Sequence, residues 1–268
     1  MYGTMLDTPL LVSRILEHGA ERHGATTITG FGSRLEPRPT RFDVIAARAA
    51  ATAHALAELG VGPGDVVAIL SESRTEYVEA VFAIPAMGAV AMPVNILRSD
   101  DFKTSALRDN DVTIALVDPE VFSSVLELTA DLPSLRHVVV VDTHVPTGHA
   151  DTHVEVHALE ALLDGRPTTY PWPELDERTA AAIAYTSGTS GNSKGVAYTH
   201  RSIWLHSMQM CMAESAALRS GDTILSTVPM HHVMSWGLPY AALMSGAGLA
   251  TARPRPGEGL HTGADLAK

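Results

Sequence analysis

Nine residues, Ser187 to Gly195, hold three glycines, three serines, one threonine and one lysine inside the stretch "AYTSGTSGNSKGVAYTH" (184–200). A loop of this composition is either a flexible connection or a cradle for an anion. As a cradle it is well supplied. Gly188 and Gly191 let the backbone approach an anion and expose consecutive N–H groups, Thr186, Ser187, Thr189 and Ser190 offer hydroxyl donors, and Lys194 adds a full charge. An apolar run precedes the loop and a helical pattern follows it, so a strand, a turn and a helix N-terminus are expected in succession, and the helix end would add partial positive charge. The spacing is neither G-x-x-x-x-G-K-[ST] nor G-x-G-x-x-G, because no hydroxyl residue follows Lys194. Basic residues are otherwise almost all arginine, 16 against 3 lysines (Lys103, Lys194 and Lys268). A compact ammonium on a flexible stem can follow a phosphate that moves, which a rigid guanidinium fork does less easily.

Other chemistry-bearing residues are weaker candidates. His144, His149, His153 and His157 invite a metal reading by their spacing. Pro146 and Gly148 forbid a regular helix before His149, and "HVEVH" alternates like a strand, so the four rings do not share a face and no metal site is expected. Cys211 is the sole cysteine, which excludes an internal disulfide and fits a reducing cytoplasm. Trp204, Met208 and Cys211 fall on one stripe of a helical pattern and read as core packing.

Positioning such a loop requires a rigid frame, and the sequence supplies alternation. Apolar β-type runs occur at 66–70, 89–94, 112–119, 137–141, 181–186 and 223–229, each nearly continuous, as in parallel strands covered on both faces. Helical patterns lie between them: an amphipathic N-terminal segment with Leu10, Leu11, Ile15 and Leu16 on one side, residues 42–59 with Thr40 and Asp43 as a capping box and Gly60 as a stop, residues 74–88 until Pro85, and residues 200–218. The expected architecture is α/β, with doubly wound, mostly parallel sheets and flanking helices. Residues 1–141 are expected to form a first α/β subdomain, 142–176 an irregular connecting segment, 177–255 a second subdomain carrying the phosphate loop, and 256–268 a tail.

Composition narrows the partners. The chain has 268 residues, 46% of them hydrophobic and 18% charged, with a formal net charge of −11. That balance argues against nucleic acid and anionic membranes, whose phosphates call for concentrated Lys and Arg. No apolar run approaches the roughly 20 residues of a spanning helix, and no leader pattern is visible at the N-terminus. A cytoplasmic protein acting on small molecules is expected.

"YTSGTSGNSKGV" resembles the signature loop of the adenylate-forming (AMP-dependent) ligase superfamily, and "VPMHHVMSWGLPYAALMSGAGL" (228–249) is similar to that family's next motif, in the form nearest to medium- and long-chain fatty acid–CoA ligases. "VFAIPAMGAVAMPVNILRSDDF" and "LVDPEVF" also fall where such enzymes have equivalents. The resemblance implies the N-terminal portion of the family's large domain and a two-step reaction. A fatty acid carboxylate attacks the α-phosphate of ATP, giving acyl-AMP and pyrophosphate, and the CoA thiol then displaces AMP. It implies that Thr186, Ser187, Gly188, Thr189, Ser190, Gly191 and Lys194 hold the nucleotide phosphates. His232 would lie at the acyl end of the nucleotide site, with Met234, Trp236 and Gly237 lining the acyl pocket. Lys194 and His232 are thereby the candidate catalytic residues. Without the resemblance His232 is an ordinary partly buried histidine, and Met234 and Trp236 suit ordinary core.

Ser193 stands where the loop usually has proline, and His231 where an aromatic ring usually precedes the motif histidine. Family members are longer than this chain. The motif with the Mg2+-binding glutamate, the adenine and ribose contacts, the hinge and the C-terminal domain with its catalytic lysine are not among these residues, and Lys268 is given no role. The chain is therefore expected to be a ligase N-terminal half that lacks activity alone, completed by a separate C-terminal half, or to expose apolar faces and self-associate. The alternatives are a non-catalytic chain that binds nucleotide or an acyl group weakly, and a CoA-independent acyl-AMP ligase. An unrelated P-loop hydrolase does not fit the lysine's context.

Overall fold

The structure is a computed structural model that describes Met5 and residues 7–31, 37–147, 152–186 and 193–251. Its elements run α1 (Val12–His23), β1 (Thr27–Phe31), β2 (Pro37–Arg41), α2 (Phe42–Glu58), β3 (Val66–Leu70), α3 (Thr75–Ala86), β4 (Val90–Pro93), α4 (Asp100–Asp109), β5 (Ile114–Val117), α5 (Phe122–Leu128), β6 (His137–Val140) and β7 (Glu155–Ala158). They continue with α6 (Leu159–Leu163), β8 (Ala180–Thr186), β9 (Lys194–Thr199), α7 (His200–Met210), β10 (Thr223–Ser226), α8 (Val233–Trp236), α9 (Leu238–Ser245) and β11 (Gly248–Thr251).

Two sheets form among the described residues. One has the order β7-β6-β5-β3-β4-β8-β9, parallel except for the last pair, and the other β10-β11-β1-β2, parallel except for β1–β2. Alternation along the strands feeds two cores. Val67 and Ile69 of β3, Ile114 and Leu116 of β5 and Val139 of β6 pack with α1, α2, α3 and α9 on one face. Ala68, Leu70, Ala115, Val117, Val138 and Val140 pack with α5 on the other. This two-sided burial is the doubly wound arrangement that the unbroken apolar runs predict.

Several local expectations are corrected. The sheets do not divide at 142–176: β8 and β9 complete the sheet begun by β3, while β1 and β2 join β10 and β11. The segment 142–176 also contains β7 and α6, so it is only partly irregular. The capping box does not form. Thr40 remains in β2, paired with Ile28, Arg41 is the N-cap of α2 without a side-chain bond, and Asp43 binds the Arg41 guanidinium. Helix α7 stops at Met210 and turns in His200, Ile203 and Ser207, leaving Met208 exposed and Trp204 half-buried. The stripe of Trp204, Met208 and Cys211 is thus displaced from the buried face.

Pro85 lies within the last turn of α3 and cannot donate to the carbonyl four residues earlier, that of Val81. The buried Tyr240 hydroxyl of α9 donates to that carbonyl instead, at 3.1 Å. Phe82 meets the Tyr240 ring edge-on at 5.0 Å. Tyr240→Phe keeps the ring and removes only the donor, so a loss of about 1–3 kcal/mol in urea unfolding is expected. An unchanged midpoint would show that Val81 finds another donor.

Candidate functional site

Strands β8 and β9 form a hairpin whose last pair is Thr186 opposite Lys194. Ser187, Gly188, Thr189, Ser190 and Gly191 lie outside the described residues, so the structure describes the feet of the loop. Lys194 opens the six-residue strand β9, which runs to Thr199 before α7 begins at His200. The expected strand–turn–helix succession is therefore corrected to strand–turn–strand. "KGVAYT" alternates β-branched and aromatic residues with small ones and pairs along β8, which carries the start of α7 to the far end of β9 from Lys194.

Lys194 is exposed and Thr186 half-buried. Around them stands a set of groups that the loop pattern does not reveal. Arg98 donates to the Ser193 hydroxyl at 3.4 Å and lies over the Phe102 ring at 4.6 Å, which places a second cation at the foot of the loop. Phe102 packs edge-on to Tyr185 of β8 at 5.4 Å, and the Asn110 amide donates to the Tyr185 hydroxyl at 2.8 Å. Burial raises the Tyr185 pKa, so the phenol stays protonated at neutral pH. The hint was "NILRSDDF", where an arginine and an aromatic lie four residues apart on the entry to a helix.

The second motif is fixed from beneath. The Met230 carbonyl accepts from the Tyr77 hydroxyl at 2.8 Å and its N–H donates to the Ser73 hydroxyl at 3.0 Å. The next residue, His231, is 9% exposed, and burial, helped by His232, lowers its pKa to about 4. His232 is exposed, its ring 4.9 Å from that of His231.

Next comes an unusual turn. Val233, Met234, Ser235 and Trp236 have φ of 44°, 51°, 53° and 55°, so α8 is a left-handed turn built from residues with side chains. Each such residue costs about 1–2 kcal/mol, and strain of this kind gathers where a site needs a particular shape. Ser235, fully buried, holds the turn by donating to the Val228 carbonyl at 2.9 Å. Gly237 continues the left-handed path at φ 70°, and a Cβ there would come within 2.9 Å of the His206 ring. That ring donates to the Trp236 carbonyl at 2.9 Å. Met234 is 3% exposed and packed in the core, whereas Trp236 is 64% exposed, so the turn sends these two side chains apart. The turn packs against β8, the strand that also carries Thr186. Both motifs therefore converge on one strand.

Of the four histidines considered for metal, His149 lies outside the described residues, and His157 meets His137 and Glu155.

This double arrangement, a hydroxyl- and lysine-bearing hairpin beside a strained turn on a doubly wound sheet, has counterparts. The family described as AMP-binding enzyme matches residues 16–261, and the chain belongs to that family. The medium-chain-fatty-acid–CoA ligase of Ectopseudomonas oleovorans is 32% identical over 268 residues, all of this chain and 48% of that protein. The long-chain-fatty-acid–CoA ligase of Thermus thermophilus is 34% identical over 255 residues, which are 94% of this chain and 45% of the relative. Among solved structures, a long-chain-fatty-acid–CoA ligase from Archaeoglobus fulgidus superposes with a TM-score of 0.77 at 22% identity, over 91% of this chain and 47% of that one. The chain thus spans about half the length of the curated relatives it matches. Among the described residues no helix is long and apolar enough to cross a membrane.

Proposed function

We propose that this chain carries the phosphate-gripping and part of the acid-binding machinery of an ATP-dependent fatty acid–CoA ligase, acting in the cytoplasm on fatty acid, ATP and CoA. The observation that carries the proposal is the convergence on β8 of the Thr186–Lys194 hairpin and the α8 turn, in a chain of the AMP-binding family. Attack of the acid's carboxylate on the α-phosphate breaks the bond to pyrophosphate, and charge builds on the departing phosphates. Fixed donors and cations stabilise that state more than the ground state. Lys194 would track the phosphates on its flexible stem, with Arg98 as a second charge. Thr186 and the loop residues Ser187, Gly188, Thr189, Ser190 and Gly191 would donate hydrogen bonds. His232 would mark the acyl end, with Trp236 and the Gly237 bend bordering the pocket. Met234, being buried, would support that wall from behind.

Mg2+ takes carboxylate and phosphate oxygens. The described side chains at the feet of the loop are Thr186, Ser193, Lys194 and Arg98, hydroxyls and cations that do not make a Mg2+ site. The ion would therefore arrive on ATP, and its protein ligand is to be sought elsewhere. Leu205, Met208, Met212 and Trp236 are exposed, and they are the side chains we expect further ligase residues or a second copy to cover.

The test is ATP binding by equilibrium dialysis. Lys194→Ala is expected to weaken it about 10- to 100-fold, since a charged hydrogen bond contributes about 1.5–3 kcal/mol. Equal affinity of variant and parent chain would remove the lysine from the nucleotide site. Fatty-acid-dependent exchange of pyrophosphate into ATP, measured with acids of increasing length, then reads the acid half of the proposal.

A further inference from the structure

Far from the hairpin, at the opposite edge of the large sheet, three side chains gather that the ligase reading does not use. Strands β6 and β7 run parallel with His137 opposite Glu155 and Val139 opposite His157. Because side chains alternate along a strand, His137, Glu155 and His157 all leave the same face of the sheet. His137 Nδ1 lies 3.3 Å from His157 Nε2. The Glu155 carboxylate oxygen is 3.7 Å from the first and 3.8 Å from the second. The donor atoms thus form a nearly equilateral triangle. Ligands about 2.0–2.1 Å from a tetrahedral Zn2+ stand about 3.3 Å from one another, so a small contraction of the triangle would place all three on one ion.

We propose that His137, Glu155 and His157 form a site for a divalent transition metal, Zn2+ above all, with water as the fourth ligand. Two imidazoles and one carboxylate suit Zn2+ or Co2+ and do not suit Mg2+ or Ca2+, which need oxygen ligands. The two histidine side chains are largely shielded, 14% and 23% exposed, and Glu155 at 73% opens the site to solvent for metal entry. Among the described residues, strand β7 is the edge of the sheet and pairs only with β6. A metal bridging the two strands would clip that edge and return the chain firmly after residue 152. A bare histidine–histidine hydrogen bond with a nearby carboxylate is the competing account, and it predicts no metal uptake.

The experiment uses the full chain, stripped with a chelator and titrated with Co2+ and then Zn2+ at pH 7.5. One equivalent of Co2+ is expected to give the visible absorption of a four-coordinate ion, and Zn2+ to displace it. His157→Ala and Glu155→Gln are each expected to lower Zn2+ affinity at least 10-fold. His144→Ala, His149→Ala and His153→Ala are expected to leave it unchanged. Zn2+ should raise the melting temperature of the parent chain and not that of His157→Ala. Should His157→Ala fold poorly, Glu155→Gln, changed at an exposed side chain, carries the comparison. No four-coordinate cobalt spectrum, or a spectrum that survives Glu155→Gln and His157→Ala, overturns the site.

Discussion

Asp118→Ala is expected to lower the folding stability by about 3–5 kcal/mol, the cost of stripping one partner from a buried ion pair. Asp118 is 1% exposed, and its carboxylate lies 2.5 Å from the Arg74 guanidinium, itself 8% exposed. The second carboxylate oxygen accepts from the Ser71 hydroxyl at 3.1 Å and from the Glu72 N–H. Removing it takes one carboxylate from the buried Arg74 charge, which keeps Glu76 at 3.2 Å, and takes the acceptor from Ser71. The place matters as much as the pair. Ser71 and Arg74 follow β3, Asp118 follows the adjacent β5, and the chain leaves β3 towards β4 but leaves β5 towards β6. Connections that part in this way open a crevice at the carboxyl ends of the strands, where doubly wound sheets commonly take ligands. Here the Arg74–Asp118 ion pair lies at that point of the sheet. Melting should fall by about 10 °C in Asp118→Ala. The double variant Arg74→Met/Asp118→Leu should recover much of the loss, because apolar groups replace a buried pair at little cost. A single variant that melts with the parent chain would mean that Arg74 reaches solvent or another carboxylate.

The parts of this fold legible in the sequence are those whose burial is two-sided. Strands β3, β4, β5, β6 and β8 announce themselves as apolar runs because both faces of their sheet are covered; β10 is the exception, an apolar run although Thr223 and Leu225 are exposed and Ile224 half-buried. Strand β2 does not, since Pro37 and Pro39 fit only an edge strand that donates few ladder bonds, and its pairing with β1 is set by distant chain. Strand β9 was hidden for another reason: Gly195, Val196 and Ala197 are exposed, so no apolar periodicity marks them. The loop's residue types raised the expectation of phosphate binding, but a helix end after it could not be told from a second strand by composition. The α8 turn left no trace either, because none of Val233, Met234, Ser235 and Trp236 is a residue that favours left-handed backbone. The approach of Arg98 to Ser193 depends on β4 and β8 lying side by side, and the His137–Glu155–His157 triangle on the register of β6 and β7, neither of which a single sequence contains. Hence His157 was grouped with sequence neighbours instead of its partner on β6.

Acid is expected to unfold this protein early, chiefly through two histidines that are buried uncharged. His200 is fully buried, its Nδ1 accepting from the Val12 N–H at 3.2 Å, and burial lowers its pKa to about 4. Burial does the same to His231, again to about 4, with the charge on His232 adding to it. In the unfolded chain both rings titrate near 6.5, so between pH 6.5 and 4 the unfolded state binds more protons than the folded one. Stability is therefore complete above about pH 6.5, falls as pH drops towards 4, and loses about 2–3 kcal/mol per histidine on the way. Glu79 runs the other way, its pKa raised to about 7 by burial against the pull of Arg48, since a carboxyl protonated in the fold gains stability as pH falls. Comparing variants isolates each histidine from that background. His231→Phe keeps an aromatic ring at a largely buried position and removes the titration, so its stability relative to the parent chain should rise steadily from pH 7 to pH 5. His200→Asn preserves an acceptor for Val12 and should flatten the same slope, although the smaller side chain lowers stability at every pH. Urea midpoints at pH 7.5, 6.0 and 5.0 read both effects. A constant difference between His231→Phe and the parent chain across that range would mean that His231 takes up its proton in the fold as readily as in water, and that its burial is not maintained in solution.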